Sequence, residues 1–217
     1  MNSTICYCNF CNNRVRPLAA DVSKTDPNAA SRLRSCFTLI LNYYFDRNTG
    51  NYTWVYYLGK ERSGTFSGQF NCIGGSPDPC DGGCMRRNAC RETLEEAKID
   101  CEALIARGQS LNNFDNSPIF FVNGTVFTVI VLKGITRGRL NSEIAKCNAN
   151  RNLHWSYREM ECIEAFKLSD SSPLSGNVQG PVSAFASRTI STFHRHAKHH
   201  LRTALMSAGH TQAARDL

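Results

Sequence analysis

Six consecutive residues, Arg91-Glu92-Thr93-Leu94-Glu95-Glu96, hold the densest chemistry in this chain. At 3.6 residues per turn a helix over them places Glu92, Glu95 and Glu96 on one face. Carboxylates at i, i+3 and i, i+4 repel by roughly a few tenths of a kcal/mol per pair, and Arg91 alone cannot offset three of them. A hard divalent cation can. Mg2+ takes oxygen ligands, keeps several waters, and is shared between one or two carboxylates and substrate phosphates. The competing reading is a solvated helix face, which is what charge runs usually are.

The flanks decide between the two. Phe66 to Ile73 (FSGQFNCI) reads as a strand, Gly74-Gly75 ends it, and a loop containing Pro77, Pro79, Gly82 and Gly83 leads into the acidic helix. This order resembles the Nudix hydrolases, whose box is G-x5-E-x7-R-E-U-x-E-E-x-G-U with U aliphatic. Arg91, Glu92, Glu95, Glu96 and Ile99 match it. So does Ala89, the small residue two before the arginine, where such a helix packs closely on its sheet. Thr93 takes the usual aliphatic position, with Leu94 beside it. The loop is two residues longer than the pattern: counted from Gly75 the first glutamate falls on Asp81, counted back from Arg91 on Gly83. Insertions cost least in such a loop, and Asp81 then stands in for the glutamate. Lys98 replaces the glycine that ends the box helix in the left-handed conformation, which predicts a longer helix or a different exit.

The resemblance implies an α/β fold, an α/β/α sandwich with a mixed sheet. It also implies a Mg2+- or Mn2+-dependent hydrolase that cleaves a diphosphate linkage in nucleoside diphosphate derivatives. Its metal ligands would be Glu92, Glu95 and Glu96, with Glu96 foremost and the Gly75 carbonyl alongside. Arg91 would orient a glutamate. The family draws its general base from the box or from a later loop, so Glu92, Glu143, Glu159 and Glu161 are the candidates. Tyr43, Tyr57, Phe114 and Trp155 are aromatics that either stack on a base or fill the core.

Around this motif, 217 residues suffice for one domain with a sizeable core or one domain plus an extension. Residues 1–30 are polar and loop-like, an N-terminal cysteine-containing extension; residues 31–217 form the catalytic domain. Cys36 to Phe45 and Tyr52 to Leu58 are apolar, aromatic runs on either side of Asn48-Thr49-Gly50-Asn51, a strand hairpin by composition. Cys101 to Arg107 reads as a strand and Leu111 to Ser117 as a loop. Pro118 to Val122 and Thr125 to Leu132 are joined by Asn123-Gly124, a strong hairpin signal. Ser142 to Cys147 reads as a short helix capped by its serine. Trp155 to Leu168 fits neither period. From Val182 to Leu205 apolar residues recur every three or four positions between Pro181 and Gly209, an amphipathic helix of about six turns.

Eleven cysteines are many for this length, but the count is odd, and the first thirty residues lack the basic-then-apolar order of an export signal. No apolar run reaches membrane-spanning length. Together these predict a soluble, cytoplasmic protein with reduced thiols and no membrane partner. Cys6, Cys8 and Cys11 are close in sequence, and Cys80, Cys84 and Cys90 flank the lengthened loop. Zinc stapling that loop is the alternative to free thiols, although neither group has the paired C-x2-C form of a strong zinc motif.

The formal charge is +7, and from Arg188 to Arg202 there are four basic residues, four histidines and no acid. If Arg195, Lys198 and Arg202 border the catalytic mouth they would suit RNA phosphates, making capped RNA, as in mRNA decapping, the rival to a small nucleotide substrate. A reading from another class is a catalytically degenerate domain or a cysteine-rich RNA-binding module, supported by the altered first half of the box.

Overall fold

A computed structural model describes residues 8, 10–15, 21, 35–47, 49–174 and 178–217. Its centre is a seven-stranded mixed sheet: β1 (Cys36–Asp46), β2 (Asn51–Glu61), β3 (Phe70–Asn71), β4 (Ile73–Gly75), β5 (Ile119–Val122), β6 (Thr125–Leu132) and β7 (Met160–Lys167). The main path runs β3-β2-β1-β6-β5, with β4 pairing β1 and β7 pairing β2. β1 and β6 are parallel, Ile40 opposite Ile130, and the other ladders are antiparallel.

Alternation along the strands separates two cores. Ile40, Val55, Tyr57, Val126 and Ile130 face one side, under α1 (Met85–Ala97), α2 (Cys101–Ala106) and α3 (Arg137–Ala149). Leu39, Leu41, Trp54, Tyr56, Leu58, Phe127 and Val129 face the other. There they meet α4, whose α-helical segments Ala184–Thr192 and Lys198–Ser207 are joined by a π-helical turn at Phe193–Ala197, and α5 (Thr211–Asp216). Helices cover both faces, which is why the central strands read as nearly continuous apolar runs. The architecture is an α/β/α sandwich.

Several local expectations hold for identifiable reasons. Asn123 and Gly124 both have positive φ (51° and 78°), the turn that a two-residue hairpin needs. Residues 184–207 form the long helix that the apolar spacing requires.

Four expectations are corrected. Cys101 to Arg107 is a helix, not a strand: the Asp100 carboxylate accepts from the Ala103 N–H at 2.9 Å, and the buried residues are Cys101 and Leu104, three apart. The helix placed at Ser142 starts five residues earlier, capped by Thr136, because its inward positions are Leu140 and Ile144. The strand expected over Phe66 to Ile73 shrinks to β3 and β4. Before it the chain turns at Gly68 (φ 77°), whose N–H donates to the Glu61 carbonyl. Lys98 neither lengthens α1 nor redirects it. It adopts the left-handed conformation itself (φ 60°, ψ 32°), and its N–H donates to the Thr93 carbonyl as glycine's would. Its ammonium reaches the carbonyls of Glu95 and Tyr157, offsetting the backbone strain.

From the N-terminal thirty residues, Phe10–Val15 form a π-helical turn. Phe10, Cys11 and Val15 are buried in the core beneath α1, and the Phe10 ring meets Phe114 edge to face at 5.9 Å. Cys6 lies outside the described residues.

Candidate active site

Two short-range contacts dock α1 on the sheet. Ala89 is fully buried, and the buried Asn88 accepts from the Cys36 N–H of β1 at 2.9 Å while donating to the Ser76 carbonyl at 3.2 Å. Thr93, at the box's aliphatic position, faces inward and satisfies its hydroxyl on the Ala89 carbonyl (2.8 Å), leaving Leu94 to solvent. With that face fixed, Glu92 and Glu96 must point at the end of β4.

There the double glycine makes room for them. Gly74 has φ 144°, and a Cβ on it would lie 2.5 Å from the Phe37 Cα. Its N–H is thereby turned to donate to Glu96 Oε2 at 2.9 Å. A Cβ on Gly75 would fall 2.8 Å from Glu92 Oε1. Glycine in both places lets two carboxylates approach the backbone.

The lengthened loop also finds its purpose. Asp78, Pro79, Cys80 and Asp81 form a capped 3-10 turn in which Asp81 accepts from the Asp78 N–H (2.8 Å) and Gly82 takes the left-handed exit. Asp81 is held 2% exposed and pairs with Arg91 (3.1 Å). The same guanidinium contacts Glu92 (2.8 Å), Glu95 (3.1 Å) and the Ser76 carbonyl (3.0 Å). Burial works against its charge, but Asp81 and Glu92 outweigh burial and keep it protonated.

Glu92, Glu95 and Glu96 line one cavity of about 440 Å³ with Gly74, Gly75, Arg91, Trp155 and Glu159. Burial pushes the Glu92 carboxyl up to about 7, with Arg91 opposing the rise and Glu95 and Glu159 adding to it. Glu96 is raised well above its ordinary value by burial, helped by Glu92, Glu159 and Glu61 and resisted by the Gly74 N–H. Glu159 is raised by burial and by Glu61 and Glu95, with Glu96 and Arg91 opposing the rise. These carboxyls share one cavity and offer the oxygen donors that a hard divalent cation takes, but among the described residues no three of them have oxygens that all lie within 4.8 Å of one another.

Of the later acids, the structure brings only Glu159 into this cavity. Glu143 lies on the surface of α3, paired with Lys146 at 2.7 Å. Glu161 pairs with Lys60 at 3.2 Å and lines a neighbouring cavity of about 740 Å³. Among the aromatics Trp155 stands at the site, 63% exposed; Tyr57 and Phe114 are core, and Tyr43 stacks on Tyr52 at 4.9 Å away from the cavity. Glu61, the last residue of β2, acts electrostatically on Glu96 and Glu159 and is itself raised by burial. Sequence reasoning missed it, since an acid ending a strand has no signature.

Arg195, Lys198 and Arg202 do not line the cavity. They belong to α4, on the opposite face of the sheet from α1, and the Arg202 side chain donates to the Ala214 carbonyl at 3.1 Å. The premise that this basic stretch borders the catalytic mouth is therefore corrected.

No family model matches this chain, and no curated protein does. Among solved structures it is similar to Nudix proteins. A MutT/nudix family protein from Enterococcus faecalis shares 10% identity over 75% of this chain and 61% of its own, with a TM-score of 0.38. NrtR of Shewanella oneidensis, complexed with a 27mer DNA, shares 13% over 79% and 63% (TM-score 0.42). The NUDIX domain of the same NrtR, complexed with ADP ribose, shares 12% over 82% and 96% (TM-score 0.41). The chain thus spans less than two thirds of the first two proteins. Among the described residues no helix is long and apolar enough to cross a membrane.

Proposed function

We propose that this protein is a Nudix hydrolase that uses Mg2+ or Mn2+ to cleave the diphosphate linkage of a small nucleoside diphosphate derivative. The observation that carries the reading is the convergence of Glu92, Glu96 and Glu159 on one cavity beside Gly75, with desolvation raising all three carboxyls.

Glu92, Glu95 and Glu96 would hold the ion, with the Gly75 carbonyl at the strand end. Bound there, it would supply positive charge next to phosphorus, where flanking anionic oxygens otherwise repel a nucleophile. Arg91 does not reach substrate in this scheme. Pinned by Asp81, it fixes Glu92 and Glu95 in direction through charge-assisted bonds. Glu159 is the base that takes the proton of the attacking water: it lines the cavity beside Glu92 and Glu96, and burial raises its carboxyl above the ordinary value. Trp155 offers its exposed ring to the nucleobase.

A cavity of about 440 Å³ accepts a nucleotide-sized ligand. Capped RNA has less support, because Arg195, Lys198 and Arg202 sit on the far layer. Turnover of nucleoside diphosphate sugars, dinucleoside polyphosphates, oxidised nucleoside triphosphates, diphosphoinositol phosphates and capped RNA, each with Mg2+, Mn2+ or chelator, tests the reading. Metal-dependent release of a nucleoside monophosphate from a small substrate supports it. Cleavage of capped RNA alone, abolished by neutralising Arg195, Lys198 and Arg202, would replace it with decapping.

A further inference from the structure

Two neighbouring cysteines, Cys8 and Cys11, meet the sequence-distant Cys84 at the foot of α1. The Cys84 sulfur lies 3.6 Å from that of Cys8 and 3.9 Å from that of Cys11, and all three sulfurs are within 4.8 Å of one another. Two zinc–sulfur bonds of about 2.3 Å at the tetrahedral angle set their sulfurs roughly 3.8 Å apart. The observed separations match that edge. They are far longer than the roughly 2.05 Å of a disulfide.

The surroundings hold the sulfurs there. Cys8 and Cys11 have the two-residue spacing of a zinc knuckle. Phe10 and Val15, on either side of Cys11, are buried in the core under α1. Cys84 is the residue preceding α1, in extended conformation (φ −92°, ψ 114°), and its side chain makes no capping bond to the helix. Cys11 and Cys84 are each 5% exposed and Cys8 is half-buried, so a ligand could reach the cluster from the Cys8 side. Thiolates at a helix N-terminus are stabilised by its dipole, and soft sulfur donors select zinc over the hard cation that the carboxylate cavity suits.

We infer that Cys8, Cys11 and Cys84 bind a structural Zn2+ that clamps the N-terminal segment to the start of the carboxylate-bearing helix. On binding, each thiol releases its proton to solvent and the ion sheds water; no redox change occurs. The fourth position is taken by water or a further thiol. The zinc staple weighed against free thiols for the lengthened loop would thus use the loop's last cysteine together with two from the N-terminal segment, while Cys80 is exposed and Cys90 lies beside Cys101.

Elemental analysis of the full-length protein, purified without chelator, is the test. The expected result is close to one zinc per chain, lost in Cys84→Ser and in Cys8→Ser but kept in Cys147→Ser, a thiol on α3. Cobalt replacing the zinc should give thiolate charge-transfer and tetrahedral d–d absorption. Absence of zinc from the wild type, iron or copper in its place, or zinc retained in Cys8→Ser overturns the inference. If Cys84→Ser fails to fold, Cys8→Ser and the cobalt spectrum of the wild type decide it. Because the diphosphate reaction is read with Mg2+ or Mn2+, its failure leaves this zinc count unaffected.

Discussion

The Glu92 carboxylate occupies the space that a side chain on Gly75 would need: Oε1 lies 2.8 Å from where the Cβ would stand. Gly75→Ala must therefore push Glu92 off its position while β4 keeps its pairing with β1 at Cys36. Metal affinity should fall by about 10- to 100-fold, the effect seen when a ligand loses its support, and turnover should fall with it. Mn2+ titration by calorimetry checks this; unchanged affinity would mean that Glu92 is not a ligand.

Asp81 is buried against Arg91 and closes the capped turn at Asp78. Asp81→Asn leaves Arg91 without its innermost partner. It should cost about 3 kcal/mol in denaturant unfolding, as removal of one member of a buried pair does. Asp81→Glu should not restore stability, because the longer side chain cannot both accept from the Asp78 N–H and meet Arg91. A fully stable Asp81→Asn protein would show the lengthened loop to be incidental.

The raised carboxyls set a pH dependence. Glu92 titrates near its ordinary value of 4.5 when unfolded and near 7 when folded, so the folded state binds the extra proton between these limits. In metal-free protein the associated stability is fully present below about 4.5 and is lost as pH rises through about 7, by up to roughly 3 kcal/mol. Glu96 and Glu159 shift in the same direction. Thermal unfolding with chelator should show this decline, and Mg2+ or Mn2+ should raise the melting temperature more at high pH than at low. A chelated protein that grows more stable toward neutrality would contradict the burial of these groups.

Trp155 is the exposed aromatic at the cavity rim. If it stacks on the base, Trp155→Ala should raise KM by about 5- to 150-fold, since a base–aromatic stack contributes roughly 1–3 kcal/mol, with kcat little changed. Steady-state kinetics separates the two. A loss confined to kcat would place the ring's role in positioning Glu159 instead.

The acidic helix, the Asn123-Gly124 hairpin and the long α4 were legible because each rests on local spacing or local turn chemistry. Asp81's part could be inferred only as far as counting allows; that it meets Arg91 is a property of the folded loop. Helix α2 was hidden because Cys101 to Arg107 is too short for its period to show, and the Asp100 cap carries the signal. Lys98 misled because the left-handed exit is set by helix packing and offset by two carbonyl contacts, neither visible in residue type. The basic stretch misled for a different reason. Charge on a helix says nothing about which face of the sheet the helix covers, and that depends on how Ala186, Ile190, Phe193 and Leu201 fill the core opposite α1.

Glu96→Gln tests the central claim most directly. It keeps the side chain's shape and an acceptor for the Gly74 N–H, but removes the charge on which the proposed metal binding at this cavity would depend. The account predicts turnover reduced by two or more orders of magnitude, roughly 3 kcal/mol or more in the barrier, with circular dichroism and melting temperature preserved or improved in metal-free buffer. Turnover within a few-fold of wild type, or no metal-dependent turnover in the wild type to lose, would contradict it.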